Sequence, residues 1–119
     1  MDGLTKFSIA WNIMWGLCYA LAALFTPYIA EGYTWLYVIL SIAILSSILC
    51  LFSKVTLVIY SGRICLFILA IIEVFGGITS WSGLYTWNVP FPNKEIFQVS
   101  MAFADLISAV FMFALALGD

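Results

Sequence analysis

The sequence predicts an all-α integral membrane protein, with four transmembrane helices in an antiparallel bundle. Three observations predict it. Of 119 residues, 66% are hydrophobic and only 8% are charged, where a soluble domain carries about 25% charged residues. The mean hydropathy of +1.17 exceeds what so short a chain can hide, because small domains leave much of their surface outside any core. The surplus must face lipid. Finally, the apolar residues fall into four runs of roughly 20, and at about 1.5 Å per residue each run crosses about 30 Å of hydrocarbon.

The first run is 7–26, opened by Lys6 and closed before Pro27. It is too long for the apolar part of a cleaved signal peptide and follows a single lysine, so it reads as a true span. Pro27 to Gly32 makes a short loop beside Tyr28, Tyr33 and Trp35, aromatic rings of the kind that settle at the headgroup level. The second span is 34–52, ending at Ser53-Lys54. Its serines Ser41, Ser46 and Ser47 can return hydrogen bonds to their own helix.

Two readings exist for the third span. Either a short interfacial segment precedes a span starting near Gly62, or one long helix covers 56–81 and Arg63 snorkels to the headgroups. Nothing in Val55–Tyr60 resembles a turn, which favours the long helix. A long aromatic and proline-containing loop, Ser82 to Glu95, separates helices 3 and 4. Pro90 and Pro92 bar a regular helix there, and Tyr85, Trp87 and Phe91 suit it to the interface or to a partner. The fourth span is 96–117, and the whole chain, 1–119, forms a single four-span membrane domain.

Four spans put both termini on one side. Lys6, Lys54 and Arg63 fall on that side and Lys94 on the other, so the positive-inside rule makes both termini cytoplasmic in this multi-pass arrangement.

Composition also excludes functions. A net charge of −2 with four basic residues offers no nucleic-acid surface and no headgroup-binding cluster. Histidine is absent, which removes ordinary haem ligation, histidine-ligated copper or iron, and Ser-His or Cys-His nucleophiles. Cys18, Cys50 and Cys65 lack CxxC spacing and read as packing residues rather than a zinc or redox pair. No Walker A, GxGxxG or HExxH pattern occurs. The expectation is a chain without cofactor or metal of its own, not an enzyme by itself, though able to belong to a membrane oxidoreductase complex.

What needs explaining is polar residues inside the spans. Glu73 lies near the middle of the third, at a cost of about 2.5–3.5 kcal/mol for an ionisable group at a helix centre. Asp105 lies about halfway along the fourth. Gln98, Met101, Asp105, Ser108 and Met112 recur at three- and four-residue steps and share one face. Ala70, Glu73, Gly76 or Gly77, and Ser80 form a face of mostly small residues, which lets helices approach closely in lipid. The first span adds Asn12, on the side of Ser8, Gly16 and Ala23. The expected intramembrane polar cluster is therefore Glu73, Asp105 and Asn12, with Gln98, Ser108 and Ser80 as an additional polar face. No cation sits at that depth, so at least one of the two acids is expected to hold a proton.

Four spans in about 120 residues with a membrane glutamate resembles the small multidrug resistance transporters. Those carry their essential glutamate in the first helix, where this chain has Asn12, Trp15 and Gly16, so the resemblance is not adopted. Ile71–Ile78, IIEVFGGI, is similar to the E-x-x-G-G run of DoxX-like four-helix membrane proteins. It covers about eight residues and falls in a different span from theirs. Neither resemblance names a family for the chain.

The function expected from these residues is a small non-catalytic accessory or structural subunit of a multi-subunit membrane complex, of respiratory, photosynthetic or membrane monooxygenase type. Its partners would be membrane lipids and other membrane-protein subunits, and the acids would hold helix to helix. The alternative is a small homo-oligomeric proton-coupled transporter or ion channel that uses Glu73 and Asp105.

Overall fold

The computed structural model describes residues 2–24, 34–82 and 94–118, and these are helical apart from short caps and one tight connection. The elements are α1 (Gly3–Leu24), α2 (Thr34–Leu51), α3 (Thr56–Ser82) and α4 (Lys94–Leu117). All four are long and apolar enough to cross a membrane, as a multi-pass membrane protein requires. Of the loops expected at Pro27–Gly32 and Ser82–Glu95, residues 27–32 and 83–93 lie outside the described residues, while Ser82 belongs to α3 and Lys94 and Glu95 to α4.

Local chemistry sets the helix ends. Asp2 caps α1 by accepting the Thr5 amide on Oδ1 at 2.7 Å, so the helix starts four residues before the apolar run does. The hydrogen bonds from Thr5 hold the exposed Asp2 carboxyl below its ordinary value of 3.8. At the end of α2, Phe52 and Ser53 donate their amides to Leu49 and Cys50, and Ser53 Oγ accepts the Val55 amide at 3.1 Å. With the turn closed in so few residues, α3 begins at once and runs unbroken from Thr56 to Ser82. Ser61 returns its hydroxyl to Leu57 O at 2.9 Å and stays within the helix.

Consecutive helices pack against one another, and α4 also packs on α1. The α3–α4 pairing is the most extensive. Ile44, Leu66 and Met112 are fully buried at the centre, surrounded by Ile9, Trp15, Leu40, Ile48, Leu69 and Leu115. Ser8, Asn12, Ser41, Ser47, Glu73, Ser80, Asp105 and Ser108 are buried too, while Leu21, Ile42, Leu49, Phe75 and Val110 are exposed. Polar groups inside and aliphatic ones outside is the partition that hydrocarbon imposes, since unpaired polar groups cannot be left in lipid.

Two glycines set how closely α3 is held. A Cβ at Gly62 would lie 2.8 Å from Cys50 Cβ and 2.9 Å from Ser47 O, so α3 rests on the α2 backbone there. At Gly77 a Cβ would meet Leu106 Cγ at 2.8 Å and Ala102 O at 3.2 Å. Aromatic edges add to the seams between helices: Phe7 on Phe111 at 5.1 Å, Phe67 on Phe113 at 5.4 Å and Trp81 on Phe103 at 5.4 Å.

Arg63 is half-buried. It lines a small cavity at one end of the molecule with Thr5, Ile9, Leu51, Ile59, Leu115 and Gly118. That position is beside the last turn of α4, whose outward carbonyls attract a cation.

Candidate functional site

α3 carries Glu73 inward because its inward-facing positions are Leu66, Leu69, Ala70, Glu73, Gly77 and Ser80, at helical spacing. α4 presents Asp105 from the matching face, with Ala102, Ser108, Ala109 and Met112 also buried. Glu73 is 1% exposed and Asp105 5%. The two carboxyls lie within hydrogen-bonding reach of each other. Gly76 lies beside the pair, and a Cβ there would stand in ordinary van der Waals contact with Asp105 Oδ2, at 3.5 Å.

The group that meets Glu73 from α1 is Tyr19, whose hydroxyl donates to Oε1 at 2.6 Å. The tyrosine ring is held on both sides. Tyr37 of α2 stacks on it at 5.7 Å and 27°, and Trp15 meets it edge-on at 5.3 Å and 72°. The Trp15 indole N–H lies near both the Glu73 carboxyl and the Tyr19 hydroxyl, without hydrogen-bond geometry to either. Glu73 Oε2 is likewise buried without a hydrogen-bond partner.

These groups surround a cavity of about 160 Å³ that draws on all four helices. Tyr19 comes from α1, Leu36, Tyr37 and Leu40 from α2, Ile72, Glu73, Gly76, Thr79 and Ser80 from α3, and Asp105 from α4. Its wall is mainly apolar, with the acids at one side. Among the described residues, none of the basic side chains lines it, and no group of three or more histidine, cysteine or acidic residues is arranged to hold a metal ion.

The other polar residues singled out in the sequence stand elsewhere. Asn12 is fully buried and gives its amide to Ser8 O within α1 at 2.9 Å. It lies two turns before Tyr19 and does not line the cavity. Its Oδ1 and the hydroxyl of Ser8 are buried without partners. Ser108 accepts the Trp11 indole N–H at 2.8 Å, a tie between α4 and α1. Gln98 donates to Ser80 O at 2.8 Å, joining α4 to α3, and Ser41 donates to Gly16 O at 2.8 Å, joining α2 to α1.

Tyr19 is the functional-site residue that sequence reasoning passed over. The signal was present, since Tyr19 follows Asn12 by seven residues and so lies on the same helix face. Three of the four cross-helix ties above involve aromatic or serine side chains that composition alone assigns to interfaces or to self-bonding. No family model matches the chain, and no curated protein and no solved structure matches it.

Proposed function

We propose that this chain is a small non-catalytic structural subunit of a larger membrane complex, an antiparallel four-helix bundle with both termini cytoplasmic. The observation that carries the reading is where the polar groups of the spans are spent. Trp11 on Ser108, Ser41 on Gly16 O, Gln98 on Ser80 O and Tyr19 on Glu73 each tie one helix to another. Such contacts hold bundles together in lipid, where apolar side chains gain nothing from leaving the solvent. The opposed pairings of early residues of one helix with late residues of its neighbour support the antiparallel arrangement. The wide aliphatic exterior is available to lipids and to other subunits alike.

The experiment is native mass spectrometry of the chain extracted gently from its source membrane. The expected result is foreign chains co-purifying in fixed ratio. A homo-oligomer alone would sink the subunit reading.

One observation favours a second reading, a small homo-oligomeric proton-coupled transporter or channel. Glu73 and Asp105 are not sealed between helices but border a cavity, and intramembrane carboxyls at cavities mark ion pathways. In proteoliposomes, Glu73→Gln is then expected to abolish proton-coupled flux while the bundle stays folded. Unchanged flux removes Glu73 from that role.

A further inference from the structure

We infer that the cavity between the four helices is a binding site for a small primary alkylammonium cation, anchored by Glu73 and Asp105. The site stands whether the chain works inside a complex or alone, because it uses only residues of this chain.

The charge argument comes first. Two carboxyls lie within reach of each other at the cavity, and none of the described residues lining it is basic. Tyr19 offers a hydrogen bond to Oε1 but no positive charge. Oε2, on a side chain that is 1% exposed, makes no hydrogen bond. A buried anion without a counter-ion is among the more costly arrangements a protein can hold. A monocation in the cavity supplies the counter-charge that an ionised carboxyl lacks there, and its N–H groups donate to the carboxyls that border the space.

Size and lining then choose among cations. The lining sets two carboxyls and the hydroxyl residues Tyr19, Tyr37, Thr79 and Ser80 against an aliphatic wall of Leu36, Leu40 and Ile72; a hard metal ion, which takes oxygen ligands alone, would leave that wall without a contact. An ammonium head with a short alkyl tail satisfies both parts. At about 160 Å³, the space resembles the roughly 150 Å³ apolar cavity known to admit a six-carbon ring. It therefore suits about five or six heavy atoms, the size of n-butylammonium.

The test uses the full chain in lipid nanodiscs, with n-butylammonium chloride, n-butanol and sodium chloride as probes at matched ionic strength. The expected result is a saturable rise in unfolding temperature with butylammonium, and none with the other two. Glu73→Gln is expected to weaken that binding roughly tenfold or more, the worth of a hydrogen bond to a charged group. Asp105→Asn serves in the same role if the first variant does not fold. An equal effect from butanol would show an apolar hole rather than a cation site, and an equal effect from sodium would show charge screening; either overturns the proposal, as does no saturable effect in the wild type. Saturable butylammonium binding without any proton-coupled flux keeps the site and removes only the transporter reading.

Discussion

At the scale of single residues, Tyr19 gives the acid pair its link to α1. Its hydroxyl is the donor recorded on Glu73 Oε1, and the ring is wedged between Trp15 and Tyr37. Tyr19→Phe keeps the ring and removes the donor, leaving a second oxygen of Glu73 without a partner. Cross-helix hydrogen bonds in membranes average about 0.6 kcal/mol, with the strongest near 1.7; a bond to a buried carboxyl belongs at the upper end. Reversible unfolding in mixed micelles should show a loss of about 1–2 kcal/mol, and an unchanged midpoint would mean the ring alone matters.

Asp2 offers a residue-scale test outside the membrane. Its carboxyl is held below the ordinary 3.8 by the Thr5 hydrogen bonds, so the ionised cap stabilises the folded form. That contribution is complete above the unfolded value, and it is lost as pH falls through the lower folded one. Protection of the Thr5 amide, its exchange measured against an unstructured peptide at the same pH, is therefore expected to drop only on acidification below about the usual aspartate range. Asp2→Ala should show the low protection at every pH, because it has no carboxyl to titrate.

At the scale of elements, glycines decide which helices can touch, and they are not equivalent. Gly62 faces the α2 backbone, which cannot yield, and an alanine there would sit 2.9 Å from Ser47 O. Gly76 leaves ordinary van der Waals room to Asp105. Gly62→Ala is expected to cost about 1–3 kcal/mol through overpacking, with Gly76→Ala well below it. Denaturation of the two variants side by side checks the order, and equal losses would mean that α3 shifts freely on α2.

The elements are also where the sequence was most informative. Helix existence follows from long apolar runs, a local property, so four helices able to cross a membrane could be read directly. The acids were visible because charge is rare in such runs. That Tyr19 would meet Glu73 depends on the rotation of α1 about its own axis, which is fixed by Ser41 on Gly16 O and Trp11 on Ser108. Those ties connect residues 25 and 97 positions apart, beyond any local pattern. Asn12 was selected for polarity, yet its amide bond stays within α1, and an aromatic one turn beyond Trp15 holds the place beside the acid instead.

At the scale of the whole molecule, the longest dimension of the chain is 47 Å against 23 and 21 Å across. That length approximates a bilayer with its headgroup layers, about 40–45 Å. Arg63 shares one end with Thr5 and Gly118, which gathers the start of α1, the start of α3 and the end of α4 at a common face. Under the proposed orientation, Lys6→Cys should be labelled by a membrane-impermeant thiol reagent from the cytoplasmic side and Lys94→Cys from the other, in a background with Cys18, Cys50 and Cys65 replaced by alanine. Labelling of both from one side would overturn the four-span topology, and reversed labelling would overturn only its direction.

The reach of Tyr19 across to α3 also has a consequence in time. Chains are made from the N-terminus at about 5–20 residues per second, so α1 enters the bilayer seconds before Glu73 is synthesised. The phenol is therefore already waiting at depth, a donor without an acceptor, when the glutamate arrives. Asp105 follows later still, 32 residues on by the numbering. The order in which the ribosome delivers these three groups thus lets a neutral donor greet the acid before a second acid crowds it, and a circularly permuted chain starting at α3 would have to insert Glu73 unescorted.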